Sequence, residues 1–392
     1  MTQTATAQTH SFQTEVKQLL QLMIHSLYSN KEVFLRELIS NGSDACDRLR
    51  FAALTDSGLM EDGEALGLKV SVDKNEKTVT ISDNGIGMTT EEVIENIGTI
   101  ARSGTRQFLE ALSGDAANDA NLIGQFGVGF YSAFLVAHRV ELTTRHAGAD
   151  AEGGVRWISD GEGEYTIESI TREERGTTIT LYLREEDKEF VEDFRLRGII
   201  SRYSDHISLP IEMPSEDKEK KGEWEAVNSG SALWSRPKNE VSEEDYHRFY
   251  QSLSYDTETP LATLHNRVEG NLEYTSLFFI PKKAPFDLWD REQRHGINLY
   301  VRRIFIMDDA KYLMPSYLRF VRGVVDAADL PLNVSREFLQ NNKDIDRIRS
   351  ASAKKILSEL SRLAEKEPET YAAFWKEFGK VLKEGVVEDQ DN

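Results

Sequence analysis

Cysteine is almost absent from this chain: Cys46 is the only one among 392 residues. A single cysteine cannot form an intrachain disulfide or a cysteine-based zinc site, and it suits a reducing compartment, so we expect a cytoplasmic protein. Residues 1–10 lack the basic start and apolar core of a signal peptide. The longest stretch without charged side chains, residues 120–138, contains polar residues and glycines, so we predict no membrane-spanning segment.

Positive charge is also scarce. The chain has 47 Lys and Arg against 67 Asp and Glu, which gives a net charge of −20 at pH 7. Duplex nucleic acid and anionic membranes repel such a protein, so neither is an expected partner. The hydrophobic fraction of 39% and the chain length indicate a folded protein of two or three domains that can bury a core.

Hydrophobic spacing predicts an α+β first domain over residues 1–213. Mainly hairpin-connected strands after two helices are typical of a two-layer sandwich. Thr89 and Glu92 form a capping-box pattern, as do Ser29 and Glu32 ahead of the second helix. The predicted elements are helices at 16–27 and 31–54 and strands at 68–73, 78–82, 140–144, 155–159, 165–170 and 177–183.

A run of charged residues follows the first domain. Residues 214–224 offer no apolar side chain to bury until Trp224, so we predict a linker there. The pattern then restarts and predicts a second α/β domain over residues 225–392. Its expected elements are helices at 242–252, 345–363 and 371–382 and strands at 274–280 and 299–307.

One face of the predicted helix 31–54 carries the first candidate residues. Glu37, Asn41 and Asp44 are spaced by four and three residues, which places them on one side of a helix. One interpretation is a solvated polar face. The other is a site where oxygen ligands converge on a metal-bound substrate, with Asn41 beside Mg²⁺ and Glu37 taking a proton from an attacking water.

Glycines mark two further segments. Asp83 ends a predicted strand and is followed by Gly85 and Gly87, which form either an ordinary turn or a place where a flat ligand approaches the backbone. Residues 124–130 carry three glycines before an apolar run, where main-chain N–H groups suit phosphate oxygens; the alternative is a flexible loop. The glycine spacing matches neither a Walker A loop nor a dinucleotide fingerprint.

In this order the three segments resemble the GHKL-type (Bergerat) ATP-binding fold of gyrases, mismatch-repair ATPases, histidine kinases and the ninety-kilodalton heat-shock chaperones. The match is closest to the bacterial chaperones, and it implies a two-layer α/β sandwich followed by an α/β middle domain. It ends inside that middle domain, so the family's C-terminal dimerisation segment is expected to be absent. The matching segments are 37–41 (ELISN), 83–88 (DNGIGM), 98–101 (GTIA), 123–132, 320–326 (FVRGVVD) and 329–337 (DLPLNVSRE).

The resemblance implies a role for each matching residue. Glu37 would be the general base, Asn41 the Mg²⁺-side ligand and Asp83 the acid that accepts the adenine amino group. Arg336, with Gln340 beside it, would reach the γ-phosphate, and a lid over the nucleotide would lie within residues 98–130. The remaining implied ATP-binding residues are Asp44, Gly87, Met88, Asn96, Arg102, Ser103, Gly127, Val128, Gly129, Phe130 and Thr177.

The implied function is that of an ATP-dependent chaperone that uses ATP and Mg²⁺. Its partners would be unfolded or partly folded client proteins and co-operating chaperones, with a homodimer usual in the family. The alternatives are a client-binding module gated by nucleotide with negligible turnover, or another ATPase or kinase of the same fold. A histidine kinase needs a phospho-acceptor, and His25 lacks an adjacent charged signature. A DNA-acting ATPase needs a basic surface, which the net charge opposes.

The sequence departs from the family at two matching positions. Arg102 stands where lysine is usual, and Gly42 stands where alanine or serine is usual. Residues 299–323 are locally basic, and we expect their arginines to favour a phosphate rather than form a solvated surface. For the apolar residues Phe286, Leu288 and Trp289 we expect buried packing, and client contact is the alternative.

Overall fold

The computed structural model describes most of the chain. The described residues are 18, 28, 30–60, 65–99, 127–217, 222–254, 256–270, 272–285, 288–289, 296–308, 310, 312–328, 330 and 343–389. The predicted helix 16–27 lies almost wholly outside them. None of the described helices combines the length and hydrophobicity needed to span a membrane.

An eight-stranded mixed sheet forms the first part, in the order β5-β4-β3-β6-β2-β1-β7-β8. Buried residues alternate with more exposed ones along the central strands, because a sheet covered on one face buries every second side chain. The strands are β1 Leu68–Asp73, β2 Thr78–Asp83, β3 Ala137–Arg145, β4 Gly154–Ser159, β5 Tyr165–Ile170, β6 Gly176–Leu183, β7 Ile211–Pro214 and β8 Trp224–Ala226.

A helical layer covers one face of this sheet. Its helices are α1 Val33–Ala53, α2 Thr90–Asn96 and α3 Asp193–Tyr203, with a 3₁₀ helix at Gly129–Leu135. Helix α1 packs against β1, β2, α3 and the 3₁₀ helix, and most of its apolar side chains are buried. The predicted two-layer α+β sandwich and its six strands are therefore confirmed.

A second, five-stranded sheet has the order β12-β11-β13-β10-β9. The hydrophobic helices α5 and α6 that follow it pack on each other and bury Phe374 and Phe378 against Phe320. The elements are α4 Glu243–Ser254, β9 Ala262–Val268, β10 Tyr274–Ile280, β11 Ile297–Val301, β12 Ile304–Met307, β13 Arg322–Ala327, α5 Lys343–Lys366, α6 Pro368–Leu382 and α7 Gly385–Glu388.

The structure corrects two local predictions. Residues 299–307 form two strands joined by a turn, because Arg302 and Arg303 adopt φ angles of 50° and 66° that reverse the chain. Helix α1 begins at Val33 after Glu32, which makes no side-chain capping bond and instead pairs with Arg195 at 2.6 Å. Ser29, the other half of that predicted capping box, lies outside the described residues.

The predicted linker 214–224 stays a prediction, and the structure describes its two ends. These ends, Pro214 and Trp224, pair with each other across β7 and β8. The segment after β8 is also hydrogen-bonded to the first sheet, since the Asn228 side chain accepts from the Ile211 N–H of β7 at 2.8 Å. The boundaries 1–213 and 225–392 stay predictions.

The two sheets meet at the end of α3. The ring of Tyr203 packs edge-on against Phe305 of β12, with centroids 5.8 Å apart. Just beyond, the His206 ring lies 4.6 Å from Trp234 and 5.5 Å from Tyr300. The contact is therefore largely aromatic.

Candidate functional site

The polar face of α1 points into the protein rather than into water. Glu37 and Asp44 are each 3% exposed, and Asn41 between them is half-buried. Burying two carboxylates on one helix face is unfavourable unless they have partners or a function. The interpretation as a solvated polar face is therefore wrong, and α1 brings the three predicted residues together.

Glu37 is held by the residue before it. Its Oε1 accepts hydrogen bonds from Arg36 Nε at 3.1 Å and Nη2 at 2.9 Å. Arg36 is 1% exposed, and its guanidinium lies 5.9 Å from the centre of the Tyr203 ring. Both charges of this pair are thus buried, where removal of one leaves the other uncompensated.

Asp83 lies at the end of β2, directly opposite Thr177 of β6 in the sheet register. Burial raises the pKa of the Asp83 carboxyl to about 7, against the opposing effect of hydrogen bonds from the Gly85 and Thr177 main chain. The Gly85 N–H donates to Oδ1 at 2.9 Å. The predicted pair of Asp83 and Thr177 is therefore brought together by the sheet itself.

Thr144 joins this corner and was missed by the sequence reasoning. Its Oγ1 accepts from the Met88 N–H at 3.0 Å and lies 3.0 Å from the hydroxyl of Thr177. Thr144 is fully buried, and it sits opposite Thr177 in the pairing of β3 with β6. Nothing in the local sequence distinguishes it from other strand threonines, since its importance depends on that register.

The glycines after Asp83 are required by the protein's own backbone. A Cβ on Gly85 would lie 2.5 Å from the carbonyl carbon of Ala45 in α1. Gly87 has a φ of +66°, and a Cβ there would lie 1.9 Å from the Arg145 carbonyl oxygen. These positions bring the end of β2 against α1 and β3, which explains both glycines without a ligand.

The glycine-rich segment enters the described residues at Gly127 and reaches the candidate base. A Cβ on Gly129 would lie 2.7 Å from Glu37 Oε2, so only glycine lets this backbone approach the carboxylate so closely. The predicted helix after it is a 3₁₀ helix. Val128 and Phe130 are buried, and the Phe130 ring packs edge-on against Trp157 at 5.5 Å.

Helix α2 contributes a buried acceptor that has no protein partner among the described residues. Asn96 Oδ1, at the last residue of α2, is inaccessible to water and accepts no hydrogen bond from them. Tyr131 anchors the neighbouring backbone, because its hydroxyl donates to the Ile97 carbonyl at 2.7 Å. An orphaned amide oxygen beside Ile97 fits a ligand that supplies the missing donor.

Four predicted site residues lie outside the described residues: Arg102, Ser103, Arg336 and Gln340. Two of the described arginines of segment 299–323, Arg319 and Arg322, are bound within their own part of the fold. Arg319 pairs with Glu384 at 2.7 Å, and Arg322 Nη1 donates to the Arg319 carbonyl at 2.9 Å. The expectation that these two favour a phosphate is therefore wrong.

Arg36 and Tyr131 are further residues that sequence reasoning missed. Arg36 carried a usable signal, because a charged residue stands among the apolar positions Phe34, Leu35 and Leu38 of the helix. Such a residue needs a buried partner, and the adjacent Glu37 is the acid available to it. Tyr131 carried no comparable signal.

Comparisons with known proteins agree with this geometry. Residues 28–184 match the family described as histidine kinase-, DNA gyrase B-, and HSP90-like ATPase, and residues 215–392 match the family Hsp90 protein. The chain thus combines a GHKL ATPase domain with an Hsp90 middle domain.

Several bacterial relatives match both parts at once. The chain is 62% identical over 398 residues to the chaperone protein HtpG of Nitrosococcus oceani and 60% identical over 403 residues to that of Nitrosospira multiformis. All of this chain is aligned in each comparison, and it spans 63% of each relative's length. Part by part, the chain therefore matches the Hsp90-like ATPase family and the Hsp90 protein family, and over its whole length it is similar to the HtpG chaperones.

Proposed function

We propose that this protein binds Mg²⁺-ATP, hydrolyses it slowly, and uses the cycle to remodel unfolded or partly folded client proteins. The observation that carries the proposal is that both glycine-marked segments lie against α1: the Gly129 backbone lies against the Glu37 carboxylate, and the Asp83 side chain lies against Gly42. Similarity to the HtpG chaperones over the whole chain supports the same activity. The chain spans less than two thirds of the length of those relatives, so we propose, rather than state, that it shares their activity.

Asp83 and Asn96 would recognise the adenine end of ATP. The Asp83 carboxylate, in its ionised form, accepts from the adenine amino group, and Thr177 and Thr144 hold the strand ends around it. Met88 is fixed beside them by its N–H bond to Thr144. Asn96 Oδ1 gains the donor that it lacks among the described residues.

The phosphates would lie toward α1 and the glycine-rich segment. The backbone at Gly127, Val128 and Gly129 offers N–H groups close to Glu37. The described residues hold no group of three or more His, Cys, Asp or Glu placed to bind a metal by themselves. The Asn41 amide therefore suits Mg²⁺ held jointly with the nucleotide, and Asp44 lies one turn further along α1. Mg²⁺ would neutralise charge on the phosphates.

Glu37 would act as the general base. Its carboxylate takes a proton from the attacking water, for which one oxygen must be available. Oε1 is engaged by Arg36, while Oε2 faces Gly129. In this arrangement the pair with Arg36 orients the carboxylate for that proton transfer.

The remaining roles follow from the family resemblance. Arg336 and Gln340 would approach the γ-phosphate from the middle domain, and Arg102 and Ser103 would belong to the lid. Arginine suits this task because its guanidinium matches phosphate geometry. The exposed ring of Trp289, 53% accessible, would contact clients, whereas Leu288 is buried in the domain. We also propose that the protein lies in the cytoplasm, works with co-operating chaperones and forms a homodimer.

The test compares two substitutions in wild-type background. Glu37→Gln should leave the Kd for ATP within about threefold and lower turnover by about 10²–10⁴, because the proton acceptor is lost. Asp83→Asn should weaken adenine nucleotides by about 1.5–3 kcal/mol, because a charged hydrogen bond is lost. Calorimetric titration and phosphate release measure the two effects. Normal turnover of Glu37→Gln or unchanged affinity of Asp83→Asn contradicts the corresponding assignment.

The bond between Arg36 and Glu37 favours a second candidate, a nucleotide-gated binding module with negligible turnover. If the pair stays closed, ATP binds but the base is blocked. Arg336→Ala separates the two functions. In an active ATPase it lowers turnover and spares affinity, whereas in a binding module it has no turnover to lower.

A further inference from the structure

Helix α1 faces the second domain across a cavity that the ATP site does not use. Ser43 and Asp47, on either side of Asp44 in the sequence, line this cavity of about 290 Å³. The opposite wall of this interdomain cavity is built by the second sheet, including the turn residues Arg302 and Arg303. The same rigid helix therefore carries the ATP-site residues and faces the second domain.

The turn that faces α1 is held in an uncommon conformation. Two-residue turns of this hand usually contain Asn and Gly, yet both positions here are arginines with positive φ. Conformations of this kind persist when the surroundings fix them, and they cluster at functional sites. The Arg303 N–H donates to Asp326 Oδ1 at 3.2 Å, and Trp234 Nε1 donates to Oδ2 of the same carboxylate at 2.8 Å.

Asp47 is the matching group on α1. Its side chain is 14% exposed, and its Oδ1 accepts from Arg50 Nη1 at 2.6 Å. Burial raises the pKa of Asp47, and the positive charges of Arg50 and Arg303 oppose that rise. The Arg303 guanidinium makes no hydrogen bond to the described residues, so its charge is available to Asp47 across the cavity.

We propose that Arg303 and Asp47 form an electrostatic latch that docks the second domain on the ATP-site helix and thereby positions Glu37 for turnover. Arg303 and Asp47 are positioning residues, since neither borders the ATP site. The inference rests on the proposed function for its effect on turnover. The docking itself is independent of nucleotide.

The experiment measures docking and turnover in the same chain. Cys46 is buried, so cysteines introduced at the exposed positions Asp160 and Lys366 label selectively with a donor and an acceptor dye. Arg303→Glu and Asp47→Lys should each shift the ratio of docked to undocked molecules by about fivefold or more. Combining them, Asp47→Lys with Arg303→Glu, restores the opposite charges and should return the ratio to within about twofold of wild type.

Turnover gives the second readout. Each single reversal should lower kcat by about fivefold or more and leave KM within about twofold, and the double reversal should recover kcat. Arg267→Glu is the matched control, because Arg267 lines the same cavity but pairs with Glu269 at the surface. Arg303→Gln, which keeps the size of the side chain, repeats the docking measurement with less risk to folding.

Failure of the double reversal to rescue docking overturns the latch, as does an equal effect of Arg267→Glu. Docking is measured without nucleotide, so a wild-type chain that lacks ATPase activity refutes the proposed function and leaves the docking result intact. Rescued docking without rescued kcat overturns the positioning role.

Discussion

Asp83 makes the candidate site sensitive to pH near neutrality. Burial raises its pKa from 3.8 to about 7, so the folded protein binds a proton that the unfolded chain releases between these values. The contribution of this carboxyl to stability is complete below the unfolded pKa and is lost as pH rises toward 7. The free energy of unfolding of the ligand-free protein should therefore fall as pH rises across this window. In Asp83→Asn this dependence on pH should be weaker. Urea unfolding at several pH values measures the free energy of unfolding of both proteins.

The same carboxyl predicts a proton linked to ATP binding. The adenine amino group requires the ionised form of Asp83, so ATP binding near pH 7 should release a fraction of a proton. Titration calorimetry in buffers of different ionisation enthalpy measures that proton. Asp83→Asn serves as the control, and an unchanged proton release in that variant contradicts the assignment.

Two glycines of contrasting surroundings give a matched pair. A Cβ at Gly85 would meet the backbone of α1, whereas at Gly198 of α3 it would meet nothing within 4 Å. Gly85→Ala should destabilise the protein by about 1–3 kcal/mol or more, since backbone must move. Gly198→Ala should stabilise it by about 0.5–1 kcal/mol, because alanine favours the helix. Chemical unfolding checks both, and equal effects would contradict the close approach.

Sequence reasoning reached some of these residues and not others for physical reasons. Glu37 and Asp83 stand in motifs whose spacing fixes where they lie on a helix and a strand. Thr144 enters the site only through its register with Thr177, which pairs strands distant in sequence. Gly85 and Gly87 were singled out from the sequence, but the reason for them was not predicted. Close contact with α1 and β3 requires glycine at these positions, and such a tertiary contact leaves no local signature in the sequence.

At the scale of the element, helix α2 depends on its cap. Thr89 Oγ1 accepts from the Glu92 N–H at 3.3 Å, and the Glu92 carboxylate accepts from the Thr89 N–H at 2.9 Å. This box confirms the prediction made for residues 89 and 92. The helix ends at Asn96, so the cap also sets where the orphaned amide lies.

Thr89→Ala should lower the free energy of unfolding by about 1 kcal/mol. The Glu92 N–H loses its side-chain acceptor, and the reciprocal capping arrangement is broken. It should also weaken ATP binding, because α2 holds Asn96. Thr90→Ala, one residue further and inside the helix, is the control. Equal losses from both variants in thermal and urea unfolding would mean that the cap is unimportant.

Elements with strong local patterns were predicted well, and their boundaries less so. The strand at 299–307 was read as continuous because Arg302 and Arg303 carry no turn signal. Arginine at positive φ is uncommon, and only pairing of β11 with β12 shows that the chain reverses there. The pairing of β8 with β7 was not predicted either, because it involves few residues.

For the whole molecule, the return of the chain after the charged run predicts where the first domain ends. Asn228 Nδ2 donates to the carbonyls of Ile207 and Leu209 at 3.1 and 3.0 Å, and Val227 N–H donates to Ile211 at 2.8 Å. A fragment of residues 1–230 should be more stable than residues 1–214 by about 2–4 kcal/mol, given about 1 kcal/mol per hydrogen bond. Urea unfolding compares the two fragments.

Asn228→Ala in the longer fragment is the matched control. It should remove about half of that difference, because it takes away the side-chain bonds and leaves β8 paired with β7. Equal stability of the two fragments would instead support a boundary at residue 213.

The hairpin of β7 and β8 also determines how mechanical force passes between the domains. The chain leaves the first sheet from Ala226, at the free end of the edge strand, where Ala226 pairs with Glu212. Tension on the second domain would peel β8 from β7 one bond after another, and such loading yields at lower force than pulling all bonds together. Asn228 and Ser229 lie ahead of the strand, and their bonds to Ile211 and Asp205 bear the load before β8 does, so these bonds set the force at which the first sheet begins to open.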